Sequence, residues 1–354
     1  MKGQWLGFFG GDLNGPMMIE VDERRQFQDI ACYFRILDNP RVLYVRARCE
    51  IGSVASVRGP LTEQLNSKLA ASENPSFIDI DFRVQEPELV VDFRLDTGER
   101  CSAMLLRSRA HLDSELPAKR MSWAGFESYV RKIEPRRYVF RGQESNKWRL
   151  RTSFHRSGRS NMLRYMVDDV SMIQQRVTNL VPEFVDINDP IRYAAFLALA
   201  QHHGYPTPLL DWTRSPFVAA FFAFRKDQTQ LQAQRQKRFI RIFILDEEAW
   251  LASGDRAPDI APRMPHVTLV YPHALGNPRL IPQQALTSIT NVDDIENYIT
   301  TKSHATNVTY LSVIDIPVAE RNEVLKQLAF MGVTAGSLFP GLDGAFEELK
   351  AIRF

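Results

Sequence analysis

The stretch Phe77-Ile-Asp-Ile-Asp-Phe82 decides the fold of the N-terminal part of the chain. Apolar and polar residues alternate in it, and this period of two is typical of a β-strand with one buried face. Further alternating or β-branched runs lie on both sides, at 17–22, 30–37, 42–51, 89–95 and 101–107. Because Gly, Asp, Asn and Pro fill the gaps as turns require, residues 1–118 are predicted to form an antiparallel β-sandwich or small barrel.

The pattern changes after residue 118. Ser122 has the character of a helix N-cap, Pro190 begins a predicted helix that Gly204 ends, and Ser215-Pro216 begins a strongly apolar helix. Helices are also predicted over 163–180 and 318–330, and strands over 138–141, 239–245 and 308–316. These mixed elements predict an α+β domain, so the expected domains are 1–118 and 119–354.

Composition limits the class of protein. The 354 residues are 44% hydrophobic and 24% charged, with a net charge of +2, which excludes a basic nucleic-acid coat over the whole chain but not local basic patches. The three cysteines form no CxxC pair, which fits buried thiols in a reducing compartment. We find neither a signal peptide nor an apolar run of about 18 residues, and we expect a cytoplasmic protein without a membrane partner.

Several common catalytic motifs are absent from the sequence. It contains no GxxxxGK[ST], no GxGxxG after a strand, no HExxH and no GxSxG. P-loop nucleotide hydrolysis, zinc proteolysis and serine-esterase chemistry therefore lose their usual support. The seven histidines show no zinc-binding spacing, and we expect no metal.

The most unusual block is Gln201-His-His-Gly-Tyr-Pro-Thr-Pro-Leu-Leu-Asp-Trp-Thr-Arg-Ser215, between two predicted helices. The free N–H groups of a helix that begins after Ser215, together with Arg214, suit a phosphate or another anion. Trp212 is expected in the core. Two interpretations stay open for Asp211 and Thr213: they take part in chemistry, or they only cap turns.

A second block is Tyr138-Val-Phe-Arg-Gly-Gln-Glu144. An arginine at the end of a buried strand is costly to leave unpaired, and the Arg141 guanidinium suits a phosphate or carboxylate. The alternative is an internal ion pair with Asp211. Gly142 permits the close approach of a ligand or of a second backbone. The basic residues around 147–156 either form a solvated face or extend an anion site.

Two later segments carry further candidates. Gln283 and Gln284 follow Arg279 and are able to bind an amide or a ribose, although such glutamines more often bind backbone. Asp343 is expected to be the N-cap of the last helix.

Phe140-Arg-Gly142, the His-His-Gly…Leu-Leu-Asp-Trp-Thr…Ser-Pro block and Leu338-Phe-Pro-Gly-Leu-Asp-Gly344 together resemble the FRG domain family. That family is named for its Phe/Tyr-Arg-Gly motif. The resemblance extends over about 135–350 and leaves out the N-terminal β domain. It names a domain without assigning an activity.

The blocks are also distantly similar to one class of ADP-ribosyltransferases, in which an aromatic-Arg-Gly strand holds the NAD phosphates. The similarity implies NAD as a substrate and equates Arg141 with the phosphate-binding arginine, and Thr213 and Ser215 with the residues beside the nicotinamide ribose. The C-terminal region departs from the class because it lacks Glu-x-Glu and Gln-x-Glu, for which Gln284, Asp343 and Glu348 are poor substitutes. Asp211 is a hypothetical replacement for the glutamate.

These arguments give a set of expected site residues. The expected catalytic residues are Arg141, Asp211, Thr213 and Ser215. The expected binding residues are Gly142, Gln143, His202, His203, Arg214, Arg279, Gln284 and Asp343.

Three hypotheses follow from the sequence. The first is an NAD-consuming transferase or glycohydrolase that acts as an effector toxin in bacterial stress or phage defence, with the β domain sensing a trigger or recruiting a protein partner. The second is a non-catalytic module that binds a nucleotide or nucleic acid and signals through the β domain. The third is a scaffold in which Arg141 and Asp211 form a structural pair.

Overall fold

The computed structural model describes residues 1–37, 42–51, 56–63, 75–177, 180, 186–187, 189–226, 238–255, 264–271 and 278–353. The N-terminal part forms one antiparallel sheet in the order β5-β7-β8-β9-β1-β2-β3-β4-β6. Its strands are β1 (Gly3–Gly11), β2 (Gly15–Arg24), β3 (Phe27–Phe34), β4 (Leu43–Glu50), β5 (Ser56–Pro60), β6 (Thr62–Glu63), β7 (Phe77–Gln85), β8 (Glu88–Leu95) and β9 (Arg100–Arg107).

This sheet curls into a nearly closed barrel, because β4 comes into contact with β5 near the other edge. Alternate residues of β1–β5 and β7–β9 point inward and form one apolar core. In that core the Phe9 ring lies 6.0 Å from Phe34 and 5.3 Å from Phe93. The N-terminal part is therefore a barrel, which is one of the two architectures that the sequence predicted.

The C-terminal part is built on a mixed sheet in the order β10-β16-β13-β11-β12-β15-β14. Its strands are β10 (Ala118–Arg120), β11 (Tyr138–Gln143), β12 (Leu209–Thr213), β13 (Phe239–Asp246), β14 (Val267–Val270), β15 (Ala285–Thr290) and β16 (Leu311–Pro317). The β10–β16 pair is parallel and the other neighbours are antiparallel.

Helices cover this sheet. They are α1 (Trp123–Val130), α2 (Ser153–Arg156), α3 (Met162–Arg164), α4 (Ser171–Val177), α5 (Pro190–His202), α6 (Pro216–Phe224), α7 (Glu247–Ala252), α8 (Ile295–Thr306), α9 (Arg321–Phe330), α10 (Ala335–Leu338) and α11 (Leu342–Arg353). A π-helical turn, Tyr165–Val170, joins α3 to α4. Among the helices that the structure describes, none has the length and apolar character needed to cross a membrane.

The alternation along β11 places its residues in two different cores. Val139 packs with Phe243 on one face of the sheet, while Phe140 packs with Ile242 and α6 on the other. A Cβ atom added to Gly142 would lie 1.8 Å from the Ala219 carbonyl oxygen. Glycine is therefore required here for α6 to lie against β11. Of the two roles expected for Gly142, the structure shows the close approach of a second backbone.

Buried hydrogen bonds join the barrel to the C-terminal part. Asp22 Oδ1 accepts from the backbone N–H groups of Ser160 (2.7 Å) and Asn161 (3.0 Å). Glu20 Oε2 accepts from the N–H of Met162 at 2.8 Å. Each of these two carboxyl groups lies on the outside of β2 and is nevertheless buried, because the segment that contains α3 covers it.

The structure confirms the predicted helix boundaries that rested on caps. The Ser122 hydroxyl accepts from Gly125 N–H, and α5 begins at Pro190 and is followed by Gly204 with a φ of +82°. The helix predicted over 163–180 begins one residue earlier and contains the π-helical turn, and residues 178–179 lie outside the described residues.

Sequence reasoning missed several strands. It predicted no strand before residue 17, but Gly3–Gly11 is β1, and a Cβ on Gly7 would lie 2.6 Å from the Met104 carbonyl oxygen. It also treated 209–213 as a connection between helices, but this segment is β12, an interior strand of the sheet.

Candidate functional site

A cavity of about 940 Å³ lies beside the middle of the C-terminal sheet. Its wall includes Arg141 and Gln143 from β11, Asp211 and Thr213 from β12, and Arg156 at the end of α2. Cavities of this size accommodate small organic ligands and cofactors. The antiparallel pairing of β11 with β12 brings the two blocks singled out from the sequence to one place.

The surroundings of Arg141 disfavour its positive charge. Its Nη1 donates to the backbone carbonyl oxygen of Asp211 at 2.6 Å. Its Nε is buried and has no hydrogen-bond partner within the described part of the chain. Burial lowers the pKa of the Arg141 guanidinium to about 10, although the nearby Asp211 carboxylate acts in the opposite direction. The contact between Arg141 and Asp211 is therefore a hydrogen bond to the Asp211 backbone, and the Asp211 carboxylate acts on Arg141 through its charge.

Asp211 is held in place by an amide. Gln201 Nε2 donates to both carboxylate oxygens, at 2.7 Å each, and the Gln201 carbonyl accepts from the Thr207 hydroxyl. The Asp211 side chain is accessible to solvent through the cavity, yet protein surrounds it on its other sides. Desolvation raises its pKa, while Arg141, Gln201 and Arg156 lower it.

Arg156 is the second cation beside Asp211. Its Nη1 donates to the backbone carbonyl oxygen of Arg151 at 2.7 Å. Burial and the charge of Arg151 lower the pKa of Arg156, and Asp211 partly offsets this. Arg141 and Arg156 therefore both use backbone oxygens as acceptors, which leaves charge near the cavity that a ligand anion is able to neutralise.

Other cations of the cavity wall have carboxylate partners. The pairs are Lys147–Asp113, Arg149–Asp294, Arg151–Asp293, Lys226–Glu144, Arg225–Glu347 and Arg279–Asp343. The basic run 147–156 is thus divided between internal ion pairs and Arg156. Neither expected alternative describes the whole run, because Arg149 and Arg151 form internal ion pairs, whereas Lys147 is exposed and Arg156 lies at the cavity.

The start of α6 lies away from this cavity. The Ser215 hydroxyl accepts from Val218 N–H, as expected for an N-cap. Arg214 forms a bidentate ion pair with Glu247 at 2.7 and 2.8 Å, and its backbone N–H donates to the Gln284 carbonyl oxygen. Arg214 and Gln284 line a separate recess of about 830 Å³. The structure therefore does not bring Arg214, Ser215 or Gln284 together with Arg141.

Two further expected residues do line the cavity. Thr213 Oγ1 donates to the Gln283 carbonyl oxygen at 2.7 Å and accepts from Ser215 N–H at 3.0 Å, so its hydroxyl is already satisfied. Gln143 is buried, and its Oε1 has no donor among the described residues.

The remaining expected residues lie at or beyond the rim. His202 lines the cavity, and burial together with the charges of Arg279 and His203 lowers its pKa. His203 is the C-cap of α5, and its ring centroid lies 5.1 Å from that of His202. Asp343 forms an ion pair with Arg279 at 3.6 Å. The prediction that Asp343 is an N-cap is wrong, because α11 already begins at Leu342.

Sequence reasoning missed Gln201, which orients Asp211, and gave no individual role to Arg156. Gln201 was part of the quoted block, but its contribution depends on the end of α5 lying beside β12. Within the described residues, no group of three or more His, Cys, Asp or Glu side chains is arranged to hold a metal ion.

Comparison with solved structures gives low scores. A de novo designed fluorescence-activating β-barrel is 16% identical, covers 30% of this chain and 94% of its own, and has a TM-score of 0.23. The redesigned β-barrel mFAP0 is 10% identical, covers 30% of this chain and 97% of its own, and has a TM-score of 0.22. A likeness at these TM-scores indicates nothing about function.

No curated protein matches the chain. Residues 136–232 match the family model described as the FRG domain. The match includes Arg141, Arg156, Gln201 and Asp211, whereas Arg279 and Asp343 lie beyond it. Neither this match nor the two barrels points to an ADP-ribosyltransferase. The C-terminal part of the chain therefore contains an FRG domain at residues 136–232.

Proposed function

We propose that the cavity beside β11 and β12 binds a nucleotide, with NAD as the substrate of an NAD-consuming reaction. The observation that carries the proposal is the placement of Arg141, with its partnerless Nε and backbone acceptor, next to the amide-held carboxylate of Asp211. A lowered pKa of an arginine and a raised pKa of an aspartate within one cavity are characteristic of ligand-binding and catalytic sites.

In this proposal Arg141 and Arg156 hold the pyrophosphate. A guanidinium whose present acceptor is a single carbonyl gains a charge-assisted, bidentate contact when a phosphate enters. Binding also relieves the burial cost that lowers the pKa of both arginines. The other cavity cations are less suited to this role because a phosphate must compete with their carboxylate partners.

Asp211 is proposed to face the nicotinamide ribose. When the bond between C1′ and the nicotinamide nitrogen breaks, its electron pair leaves with nicotinamide, and positive charge develops on the ribose. A carboxylate fixed beside that charge stabilises the transition state. A water molecule, or an acceptor hydroxyl, then bonds to C1′ and releases one proton. The products are nicotinamide, the ADP-ribosyl compound and that proton.

The test is NAD binding and turnover by the purified protein. Arg141→Ala should weaken binding roughly ten- to hundredfold, because a charged hydrogen-bond donor is lost. Asp211→Asn should retain binding and reduce turnover by about 10²–10³-fold, as for loss of one transition-state contact. Arg58→Ala, an exposed arginine of the barrel with the same charge change, should behave as wild type.

A non-catalytic module that binds a nucleotide or nucleic acid is the second candidate. The use of both Asp211 oxygens by Gln201 favours it, because a carboxylate engaged in this way has less capacity for a ligand. Tight NAD binding without turnover in the same experiment supports this candidate. A binding constant that falls steeply with salt points to nucleic acid instead. Absence of NAD binding removes NAD from both proposals.

The proposed role as an effector toxin has a separate test in cells. A protein that consumes NAD should slow the growth of bacteria that express it, and Arg141→Ala should restore growth at equal protein level. Equal growth with both proteins contradicts the toxin proposal. The nucleotide site is tested independently by the binding measurement.

A further inference from the structure

The last helix, α11, presents an apolar stripe to solvent. Leu342, Phe346, Leu349 and Ile352 are 74%, 65%, 52% and 70% exposed. Their spacings of four, three and three residues place them along one side of the helix. More than half of each large apolar side chain is accessible, and contiguous patches of this kind mark interaction surfaces.

The other side of α11 faces the protein. Gly344 is buried, and a Cβ on it would lie 2.0 Å from the Phe339 carbonyl oxygen. Glu347 forms a bidentate ion pair with Arg225. These contacts fix the rotation of the helix about its axis, so the apolar stripe remains turned outward.

The charges beside the stripe change sign along the helix. Asp343 lies in the first turn and Lys350 two turns later, on the same flank and both exposed. The Asp343 carboxylate lies 3.6 Å from Arg279, and its side chain is 89% exposed, so it remains open to a second cation. Seven residues correspond to about 10.5 Å along a helix axis. The first half of α11 is acidic and the last turn is basic, with Lys350 and Arg353.

We propose that α11 pairs antiparallel with α11 of a second copy of this chain, around a two-fold axis. In this pairing Asp343 faces Lys350 of the partner subunit, and Lys350 faces Asp343 of the partner subunit. Leu342 packs near Ile352 of the partner subunit, while Phe346 and Leu349 meet at the centre. In a parallel pairing this flank of one helix lies on the other side of the interface from the same flank of its partner, so Asp343 and Lys350 do not meet, and the charge pattern selects the antiparallel arrangement.

The same charges argue against a lipid surface as the occupant. Helices that lie on membranes are rich in Lys and Arg on their polar face. In α11, Glu347 is paired with Arg225 and Glu348 lies against Gly336, so the charges beside the stripe are Asp343, Lys350 and Arg353. Anionic lipids attract the two cations but repel Asp343, whereas pairing with a second copy uses both signs.

The test is the oligomeric state of the full chain by sedimentation equilibrium. The wild type should dimerise, and Phe346→Asp should be monomeric. Because Phe346 is exposed, this variant should keep the thermal midpoint of the monomer. Asp343→Lys and Lys350→Asp should each weaken self-association on the order of tenfold, because two attractive pairs per dimer become repulsive.

Charge exchange separates this interface from any other. The double variant Asp343→Lys/Lys350→Asp should dimerise like wild type, and a mixture of the two single variants should form heterodimers. A wild type that stays monomeric at its highest attainable concentration overturns the proposal. So does a dimer that Phe346→Asp leaves intact, a double variant that is not rescued, or a monomer that binds phosphatidylserine vesicles through α11.

Discussion

The barrel interior and the FRG-domain cavity are both bounded by β-strands, but their walls differ in chemistry. The barrel interior is filled by apolar side chains such as Phe9, Phe34 and Phe93, whose rings are in contact. The cavity wall instead carries Arg141, with a lowered pKa, and Asp211, with a raised pKa. One region excludes water, and the other holds a half-buried arginine beside a carboxylate that the cavity leaves open to solvent.

This difference indicates whether each region contributes to stability or to function. Burial of apolar surface lowers the free energy of the folded barrel, so its side chains are explained by stability alone. Desolvated charge raises the free energy of the folded state unless a ligand compensates it. Residues that increase the cost of folding are therefore candidates for function. Substitutions in the two regions should separate stability from binding.

The largest effect is expected from Phe93→Ala in the barrel. Its ring lies 5.3 Å from Phe9 and 5.6 Å from Phe34, and removal leaves a cavity in a closed core. The free energy of unfolding should fall by about 3–5 kcal/mol. Chemical denaturation at fixed pH measures this change. A loss below about 1 kcal/mol would show that the barrel core collapses around the gap.

The matched change in the cavity is Arg141→Met, which keeps the length of the side chain without its charge. Since burial disfavours the Arg141 guanidinium, the variant should unfold no more easily than wild type. Nucleotide binding should nevertheless weaken roughly ten- to hundredfold, as for Arg141→Ala. If Arg141→Met is as destabilised as Phe93→Ala, Arg141 is a structural residue. The cavity and the barrel core would then both serve stability.

The next effect is expected from Gly142→Ala, because the added Cβ would lie 1.8 Å from Ala219 O. The helix must shift from the strand, at a cost of about 1–3 kcal/mol. Gly10→Ala in the barrel is the control, since its Cβ would meet nothing within 4 Å. Thermal melts of both variants measure the difference. Equal midpoints for the two variants would mean that α6 moves away from β11 without cost.

The elements that sequence analysis predicted are those encoded locally. Ser122 and Ser215 cap helices through their own hydroxyls, and Gly204 follows α5 with a positive φ. The alternation over 77–82 gives β7 with Ile78 and Ile80 inside the barrel. Such signals depend on neighbours within a few residues, and a single sequence displays them.

What could not be predicted depends on partners distant in the chain. The segment 209–213 has few β-branched residues and becomes a strand because β11 and β15 pair with it. Gln201 meets Asp211 only after α5 packs beside β12. Arg214 follows Thr213 directly, yet Glu247 holds it outside the cavity. Each outcome is set by tertiary packing, which overrides local pattern.

Over a single pH unit, the smallest effect is expected where the two regions meet, at Glu20. Burial, with a contribution from Asp22, raises the pKa of Glu20 to about 8, above its ordinary value of 4.5. Between these values the folded state binds one proton more than the unfolded state, so stability should fall as pH rises toward 8. Glu20→Gln cannot ionise, and its stability relative to wild type should rise by up to about 1.4 kcal/mol per pH unit. Denaturation of both proteins at pH 5, 6, 7 and 8 measures that difference. Parallel pH profiles would mean that the Glu20 carboxylate is exposed to solvent. Of the two carboxyl groups, Asp22 alone would then join the barrel to the FRG domain through a buried contact.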